Sequence, residues 1–446
     1  MELETAKGVR DFPPQEKIMR DKIIAKITST FQLYGFSPLE TPVLERLDVL
    51  SAKYAGGEEI LKEMFKLKDQ GERELCLRYD LTVPLARFVG MNPTLKLPFK
   101  RYQVGNAFRD GPIKLGRYRE FIQCDIDIVG SKSMLADSQI ITVVKHVFQV
   151  LELKIIIEVN NRKVLDGILF YANVPEDKWL STILIIDKLK KIGKEGVSKE
   201  LQLLGLNIES ITKILETLSI SGTNKQIIKQ LKELLSKNDQ NGQNDNKNVN
   251  KIGAEGMQEI EQLFDFCTAK NVIFSPSLAR GLSYYTGTVF EAFAPKSKIS
   301  SSLAAGGRYD KMIGNFLENK QEYPTVGIAF GIEPIIEVWK ENNPKAIEQK
   351  TVTQVYIIPI KTTKECITIA DDLRKQGIPT DMDINERGIS KNLDYANAYA
   401  IPFVLFVGNE ELKQKKVKLK EMISGKEELL SIEQVVKKLI HLKTTG

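Results

Sequence analysis

The stretch FKRYQVGNAFRDGPIKLGRYREFIQCDIDIVG, residues 99–130, has the pattern of a long β-hairpin. Two runs with the period of two that a strand requires, 99–110 and 117–130, flank the loop GPIKLG. Two strands joined by a direct connection are antiparallel neighbours in a sheet. The stretch therefore predicts an α+β domain built on a mostly antiparallel sheet with flanking helices.

Shorter elements around the hairpin extend this plan. Apolar residues at helical spacing predict helices over 15–34 and 134–153. MFKLKD and ELCLRYD, separated by QGER, predict a smaller hairpin. Thr82 and Pro84 mark the first turn of another helix, because proline is tolerated there.

The middle and the C-terminal part of the chain differ from this domain. Residues 176–235 carry Leu, Ile and Lys at helical spacing, and the Asn-rich segment 236–250 predicts a disordered loop before a helix around 254–268. We expect a catalytic domain over 1–340, interrupted by a helical insertion at about 174–268. Alternating strands and helices after a polar linker predict a second α/β domain with a mixed sheet over 353–446.

Composition excludes several classes of protein. The chain has 446 residues, 42% of them hydrophobic, 27% charged, and a net charge of +6. It has no apolar run of the roughly 20 residues that span a bilayer and no apolar signal core at the N-terminus, so we expect a cytoplasmic protein without membrane contact. Four scattered cysteines without a CxxC pair argue against a disulfide framework and a cysteine zinc site.

Histidine is scarce, and this limits the chemistry. The chain has two, His146 and His441, so a His-rich metal site is not available. The amphipathic pattern around His146 favours a structural role. P-loop, GxGxxG, GxSxG and HExxH motifs are absent from the sequence.

A basic cluster overlaps the long hairpin. Residues 96–119 hold seven Lys or Arg against one acid, Asp110. This pattern fits either a solvated surface or a site for phosphate or carboxylate, which arginine binds in a bidentate manner.

Polar residues on the return strand of the hairpin are candidates for a pocket. Arg109 ends the first strand, where Phe121 offers a stacking face, and Gln123 alternates with apolar neighbours. Asp125 and Asp127 share one face by the strand period. Such residues are more often core or solvent-facing, but an acid between Ile126 and Ile128 requires a partner.

Taken in order, the motifs resemble the histidyl-tRNA synthetases, a family of class II aminoacyl-tRNA synthetases. The resemblance covers the length of the chain and rests on KGVRDFPP, GFSPLETPVLE (class II motif 1), FRDGPIKLGRYREFIQCDIDIVG (motif 2), ARGLSYYTGTVFEAF (the histidine-specific peptide), AAGGRYD and VGIAFGIEP (motif 3). The C-terminal α/β domain resembles the anticodon-binding domain of the family.

The resemblance implies that histidine and ATP form histidyl-adenylate and that the histidyl group then passes to the 3′ end of histidine tRNA. By position, it implies that L-histidine is bound by Asp80, Leu81, Thr82, Arg109, Gln123, Asp127, Arg280, Tyr284 and Tyr285. It likewise implies that ATP is bound by Arg109, Arg119, Phe121 and Arg280. Mg²⁺ is implied as well, with its ligands left open, and motif 1 implies a homodimer.

The implied roles follow the chemistry of the groups. The resemblance implies that the acids bind the α-ammonium group and the imidazole ring of histidine. It implies that Arg109 bridges the histidine carboxylate and the α-phosphate of ATP, and that Arg280 contacts the same phosphate from the other side. Phe121 stacks on adenine, and Tyr284 and Tyr285 line the imidazole pocket. A carboxylate that attacks a phosphate is already ionised, so arginines and Mg²⁺ are needed for the developing charge and a general base is not.

The sequence departs from the family pattern at three positions. Gly111 stands where motif 2 carries an acid that helps to read adenine, and Pro334 follows Glu333 where motif 3 carries an arginine. Ser283 replaces an aspartate of the histidine-specific peptide. Two departures therefore affect the ATP end of the site, and none affects a histidine contact.

Two other functions fit parts of the sequence. An inactive paralogue serves as a regulatory subunit in histidine biosynthesis, but that form usually lacks the anticodon-binding domain. An RNA-binding module without chemistry would leave the acids, arginines and tyrosines unexplained. Lys114 and the cluster Lys413–Lys420 are candidates for RNA contact, and the helical insertion for contact with the acceptor stem.

Overall fold

The computed structural model describes residues 2–51, 61–236, 247–267, 269–282, 284–319, 321–343 and 349–445. The chain divides into two compact units. The first comprises Met1–Arg10 and Ile23–Asn342, and the second comprises Asp11–Lys22 and Asn343–Gly446.

The first unit contains two antiparallel or mostly antiparallel sheets. Its strands are β1 (Ser37–Pro38), β2 (Leu44–Arg46), β3 (Lys66–Lys68), β4 (Glu74–Leu77), β5 (Phe99–Phe108), β6 (Glu120–Val129), β7 (Ile156–Asn161), β8 (Val272–Phe274), β9 (Thr288–Phe293), β10 (Ala304–Arg308) and β11 (Thr325–Gly331). The small sheet has the order β2-β4-β3, and the large one β1-β5-β6-β11-β10-β9-β7-β8.

Helices surround these sheets. They include α1 (Pro14–Leu33, which runs from the second unit into the first), α2 (Leu47–Leu50), α3 (Thr82–Met91), α4 (Met134–Val150), α5 (Arg162–Tyr171), α6 (Trp179–Ile186), α7 (Leu189–Leu203), α8 (Ile208–Leu218), α9 (Asn224–Ser236), α10 (Lys247–Phe266), α11 (Met312–Phe316) and α12 (Ile332–Asn342). A short 3₁₀ turn, Glu176–Lys178, precedes α6.

The large sheet confirms the predicted fold class. The long hairpin forms with β5 antiparallel to β6, and the neighbours from β6 through β11, β10 and β9 to β7 are also antiparallel. Only the outer pairs β1–β5 and β7–β8 are parallel. The smaller predicted hairpin is present as β3 and β4.

One face of the large sheet is closed by helices. Phe31 of α1 packs 5.4 Å from the Phe330 ring of β11, and Phe148 of α4 packs 5.9 Å from the same ring. These rings are fully buried, as are Cys124 and Ile126 of β6. The apolar side of each central strand therefore faces α1 and α4, and its polar side faces away from them.

The described residues between α5 and β8 are mainly helical, as predicted. The last helix of this region, α10, packs closely on α5: a Cβ atom at Gly167 would lie 2.8 Å from the Gly253 backbone. Asn-rich residues 237–246 lie outside the described residues, but the prediction of a loop was wrong for 247–250, which begin α10. Asparagine lowers the stability of a helix by less than about 1 kcal/mol per residue. The buried side chains of Met257, Ile260 and Leu263 pack α10 into the domain and stabilise it.

The second unit carries the mixed sheet that the sequence predicts. Its strands are β12 (Val355–Ile360), β13 (Thr380–Met382), β14 (Phe403–Gly408), β15 (Val417–Glu421) and β16 (Glu427–Leu430), in the order β13-β12-β14-β15-β16. Strand β12 is parallel to both of its neighbours, β13 and β14, and the β14–β15 and β15–β16 pairs are antiparallel. Its helices are α13 (Thr363–Lys375), α14 (Ile389–Ala398), α15 (Asn409–Lys413) and α16 (Ile432–Thr445).

Candidate active site

A pocket opens on the polar face of the large sheet. Residues of β6, β10 and β11 form its floor, and its walls come from the beginning of α3 and the residues just before it, and from Arg280, Leu282, Tyr284 and Tyr285. Its lining residues are Glu63, Tyr79, Asp80, Thr82, Arg109, Gln123, Asp125, Asp127, Arg280, Leu282, Tyr284, Tyr285, Ala305, Gly306, Gly307, Tyr309, Gly327, Ile328 and Ala329.

Strand pairing brings three polar side chains of β6 into one row. Gln123, Asp125 and Asp127 are each two residues apart, so they point to the same face. On β11 they lie opposite Gly331, Ala329 and Gly327, which have small side chains or none. The row is therefore open to the pocket.

Gly327 is essential to this floor. A Cβ atom at this position would lie 1.8 Å from Asp127 Oδ1, closer than any real contact. The glycine therefore makes room for the carboxylate beside it.

Asp127 has partners within the protein, as the sequence requires. Arg101 Nη2 lies 2.6 Å from Asp127 Oδ2, and the Tyr309 hydroxyl donates to Asp127 Oδ1 at 2.5 Å. Arg101 also donates to the Leu81 carbonyl oxygen. These contacts fix the orientation of the Asp127 side chain. Arg101 belongs to the basic cluster of residues 96–119, but it is fully buried and is therefore not a candidate for binding phosphate.

Asp80 begins the helix that closes one wall. Its Oδ1 accepts a hydrogen bond from the Val83 N–H at 3.1 Å, so it caps the first turn of α3. Burial raises the pKa of Asp80 to about 7, although backbone hydrogen bonds from Val83 and Thr82 lower it. Thr82 lines the pocket, whereas Leu81 is fully buried and contributes its carbonyl group to Arg101.

Two oxygen atoms of the β6 row have no partner among the described residues. They are Asp125 Oδ1 and Gln123 Oε1, both inaccessible to solvent. Burial raises the pKa of Asp125 well above its ordinary value, and the neighbouring Asp127 and Asp80 add to the rise. An unsatisfied buried acceptor is costly, so this row is built for a ligand with donors.

Aromatic rings surround the Asp127 end of the row. The Tyr284 ring lies 4.6 Å from that of Tyr285 and 5.9 Å from that of Tyr309. All three tyrosines line the pocket. A flat ring bound here would lie among aromatic faces with a carboxylate at its edge.

Arg280 is held by a glutamate of β9. Arg280 Nη1 lies 2.8 Å from Glu291 Oε1, and both side chains are at least four-fifths buried. Its guanidinium lies over the Tyr285 ring at 5.4 Å. Asp187, at the end of α6, adds to the negative surroundings of Arg280.

Arg109 is the second arginine that lines the pocket. Its guanidinium lies 4.1 Å from the centre of the Phe121 ring. Burial, together with Arg117, lowers the pKa of Arg109 to about 10, so it remains a cation at neutral pH. Glu333 accepts a hydrogen bond from the Ile122 N–H close to this arginine. Phe121 itself is buried beside the pocket and is not among its lining residues.

Arg119 lies outside the pocket. It pairs with Asp110 at 2.9 Å, and its backbone N–H donates to the Gly8 carbonyl oxygen. Gly8 has a positive φ of 85° and packs directly on the Arg119 side chain. The N-terminal segment therefore covers this arginine. Lys114 is exposed in the loop between β5 and β6.

Two of the three departures from the family pattern fall on described residues. A Cβ atom at Gly111 would lie 2.7 Å from Glu63 Oε1, so the glycine brings this glutamate close to the loop. Pro334 lies in the first turn of α12, where proline is tolerated, and packs on Gly116 and Gly331. Ser283 lies outside the described residues.

The sequence analysis did not predict Arg101, Tyr309 and Glu291 as residues of the site. It named Asp125 as a candidate for the pocket but predicted no ligand for it. Arg101 lies between Lys100 and Tyr102 on β5, so the sequence gives no local sign that its side chain is buried and requires a partner. Identifying that partner as Asp127 needs the β5–β6 register. Tyr309 and Glu291 follow directly from stretches that were singled out, AAGGRYD and GTVFEAF.

Neither histidine belongs to the pocket. His146 lies on α4, and its Nδ1 is 3.2 Å from the Tyr34 hydroxyl, as expected of a structural residue. Within the described ranges, no group of three or more His, Cys, Asp and Glu side chains is arranged to hold a metal ion. No helix in the described part of the chain has the length and apolar content needed to cross a bilayer.

Known proteins show the same organisation. A family model described as histidyl-tRNA synthetase matches residues 8–335, and one described as an anticodon binding domain matches residues 354–442. The "Histidine--tRNA ligase 1" of Bacillus cereus (strain ATCC 14579) is 42% identical over 96% of this chain and 97% of that protein. The "Histidine--tRNA ligase 2" of Shouchella clausii is 40% identical, over 95% and 97%.

A solved structure agrees with these relatives in fold. The crystal structure of histidyl-tRNA synthetase from Nostoc sp. PCC 7120 superimposes with a TM-score of 0.83 at 29% identity, covering 98% of this chain and 99% of that one. The superimposed part of the chain includes the residues that both family models match. The resemblance inferred from the motifs is therefore confirmed. This chain therefore belongs to the histidyl-tRNA synthetase family.

Proposed function

We infer that the protein is a histidine–tRNA ligase, which activates L-histidine with ATP and transfers it to histidine tRNA. One observation carries this inference: a single pocket is lined both by three acids, Asp80, Asp125 and Asp127, and by two arginines, Arg109 and Arg280. An amino acid is a zwitterion, and its activation places its carboxylate beside a phosphate. The acids suit its ammonium group, and the arginines suit the two anions.

The Asp127 end of the row suits the imidazole ring. Asp127 is oriented by Tyr309 and Arg101, so its carboxylate can accept from a ring N–H without turning. Tyr284 and Tyr285 supply the aromatic surroundings. A buried polar site of this kind rejects side chains that leave its groups unpaired, which gives selectivity for histidine.

Arg109 and Arg280 would support the chemical step. A histidine carboxylate oxygen forms a bond to the α-phosphorus of ATP, the bond to the bridging β-phosphate oxygen breaks, and pyrophosphate leaves. Negative charge grows on the α-phosphate oxygens, and fixed cations stabilise it. Glu291 already holds Arg280 in place, so little reorganisation is required.

The nucleotide itself is expected beside Arg109. Arg109 covers one face of Phe121, so adenine would use the other face or displace the arginine. Arg119 would contact ATP only if its ion pair with Asp110 broke. Among the described residues the acids of the pocket are not grouped as a resident metal site, so Mg²⁺ would arrive bound to the phosphates of ATP.

Domain roles and partners follow from the family. We assign catalysis to residues 1–340, with the helical insertion at about 174–268, and anticodon recognition to residues 353–446. Within the Lys413–Lys420 cluster, Lys418 and Lys420 pair with Glu427, so Lys114 is the freer candidate for RNA contact. We further propose a cytoplasmic homodimer.

Exchange of labelled pyrophosphate into ATP tests the function. The purified protein should support exchange only with L-histidine, and it should charge histidine tRNA. Arg280→Ala should lower the exchange rate by about 10²- to 10³-fold, because it removes one fixed stabiliser of charge. Arg73→Ala is the matched control, since Arg73 is exposed and is not among the residues that line the pocket. A wild type without histidine-dependent exchange would instead favour a regulatory paralogue.

A further inference from the structure

The KGVRDFPP motif near the N-terminus contacts the end of the long hairpin that carries Arg109. Residues 2–7 are exposed, whereas Gly8, Val9 and Arg10 are half-buried. Neither the fold nor the proposed chemistry accounts for this motif. Its contacts with the loop between β5 and β6 give it a place beside the active site.

Two backbone hydrogen bonds in succession connect Gly8 with Arg109. The Arg119 N–H donates to the Gly8 carbonyl oxygen at 3.0 Å, and the Arg109 N–H donates to the Arg119 carbonyl oxygen at 2.8 Å. The regular pairing of β5 with β6 ends one residue earlier, where Phe108 lies opposite Glu120. Beyond the sheet, the position of the Arg109 backbone therefore depends on Arg119, and that of Arg119 depends on Gly8.

Side-chain packing strengthens this connection on both arms of the loop. Gly8 has a positive φ of 85°, which residues with a Cβ atom rarely adopt. A Cβ atom there would lie 2.8 Å from Arg119 Cγ and 2.9 Å from Ile113 Cδ1. The Arg10 guanidinium lies over the Tyr118 ring, 3.6 Å from its centre. Residues 8–10 are thus packed against the loop as well as hydrogen-bonded to it.

Arg109 depends on such support more than Arg280 does. Glu291 holds Arg280 by an ion pair at 2.8 Å. Arg109 Nε has no hydrogen-bond partner among the described residues, and its guanidinium lies on the face of the Phe121 ring at 4.1 Å. A side chain that rests on a ring face takes its position mainly from its own backbone, so an error in that backbone reaches the guanidinium.

We propose that Gly8 and Arg10 are positioning residues for Arg109. Through Arg119 and Tyr118 they fix the end of the hairpin, so that the Arg109 guanidinium meets the α-phosphate of ATP without reorganisation. Positioning matters here, because a misplacement of about 1 Å can lower a rate by up to about 10²-fold. The proposal rests on the proposed function and adds the N-terminal motif to it.

Gly8→Ala in the full-length protein tests the role of the backbone contact. The steady-state constants of pyrophosphate exchange and the melting temperature are measured. The added methyl group should displace Arg119, so kcat should fall by about 10-fold while the KM of histidine changes by less than about 3-fold. Gly425→Ala is the matched control. Its φ is 72° and no atom lies within 4 Å of its Cβ position, so it carries similar backbone strain and should leave kcat unchanged.

Two further comparisons separate positioning from a general effect on folding. Arg10→Ala should lower kcat by about 3- to 10-fold, and Arg10→Lys, which keeps a cation for the Tyr118 ring, should restore most of it. In an Arg109→Lys background, Gly8→Ala should lower kcat by less than about 3-fold, because the arginine that it positions is absent.

Each result decides the proposal. A kcat that Gly8→Ala leaves unchanged, or lowers no more than Gly425→Ala does, overturns the positioning role, and so does a full 10-fold loss in the Arg109→Lys background. If Gly8→Ala does not fold, the two Arg10 variants decide by their order. A wild type without histidine-dependent exchange fails the proposed function and this inference with it, whereas an active wild type with indifferent variants fails this inference alone.

Discussion

Arg101 Nη2 lies 2.6 Å from Asp127 Oδ2, and neither side chain is more than 4% exposed. The two residues are directly opposed on β5 and β6, so the register of the long hairpin creates the pair. The ion pair fixes the position of the Asp127 carboxylate, which is proposed to bind the imidazole ring of the substrate. The stability of the sheet and the shape of the pocket thus depend on the same contact.

Replacement of Arg101 by methionine should lower the free energy of unfolding by about 3–5 kcal/mol. The reason is that Asp127 would remain buried without its compensating charge. Urea denaturation measures this loss. Arg73→Gln, at an exposed pair with Asp69, should change the same quantity by less than about 1 kcal/mol. Equal effects of the two substitutions would show that the buried pair contributes no more to the free energy of unfolding than the exposed pair does.

Gly327→Ala should weaken L-histidine binding by at least about 10-fold. The added methyl group would meet Asp127 Oδ1 at 1.8 Å, so the carboxylate has to turn away or the strands have to separate. Overpacking of this kind typically costs about 1–3 kcal/mol of stability as well. Calorimetry with histidine and thermal unfolding check both effects. Gly388→Ala, where no atom lies within 4 Å, is the control and should leave both unchanged.

Glu291→Gln should lower the rate of pyrophosphate exchange by about 10-fold and leave the dissociation constant of histidine nearly unchanged. Glu291 touches Arg280 and is not among the pocket-lining residues, so its loss affects the position of the arginine rather than ground-state binding. The control is Glu158→Gln, directly opposite Glu291 on β7 and paired with Lys190. A loss of histidine affinity that matches the loss of rate would contradict a positioning role.

Histidine binding should release a proton near pH 7, and this release should disappear in Asp80→Asn. The pKa of Asp80 is about 7 in the free protein, and an ammonium group beside the carboxylate lowers it. Titration calorimetry in buffers of different ionisation enthalpy measures the release, and comparison with the variant removes the titration of histidine itself. Identical proton counts for the two proteins would exclude Asp80 as the source.

The same raised pKa has a consequence for folding. Asp80 in the unfolded chain ionises near pH 4, so the folded protein holds the proton longer. Its contribution to stability is present below pH 4 and is lost as the pH rises towards 7. Thermal unfolding without ligand should show a smaller loss over this range in Asp80→Asn than in the wild type.

Much of the fold follows from local patterns. The period of two in residues 99–130 and the helical spacing of 176–235 depend only on neighbouring side chains, and both elements are present. The Asn-rich prediction failed at 247–250, because the anchor of that helix lies ten residues further along the chain. The inclusion of Asp11–Lys22 in the second unit also has no local signal.

The sequence by itself determined the type of sheet, the mixed C-terminal sheet and the positions of the family motifs, because periodicity and motif spacing are properties of consecutive residues. Only the tertiary structure decided which polar groups are already satisfied. Asp125 and Asp127 look alike in the sequence, yet Asp127 meets Arg101 and Tyr309 while Asp125 Oδ1 meets no partner among the described residues. Strand register sets that difference, and it joins residues that are 26 and 182 positions apart in the chain.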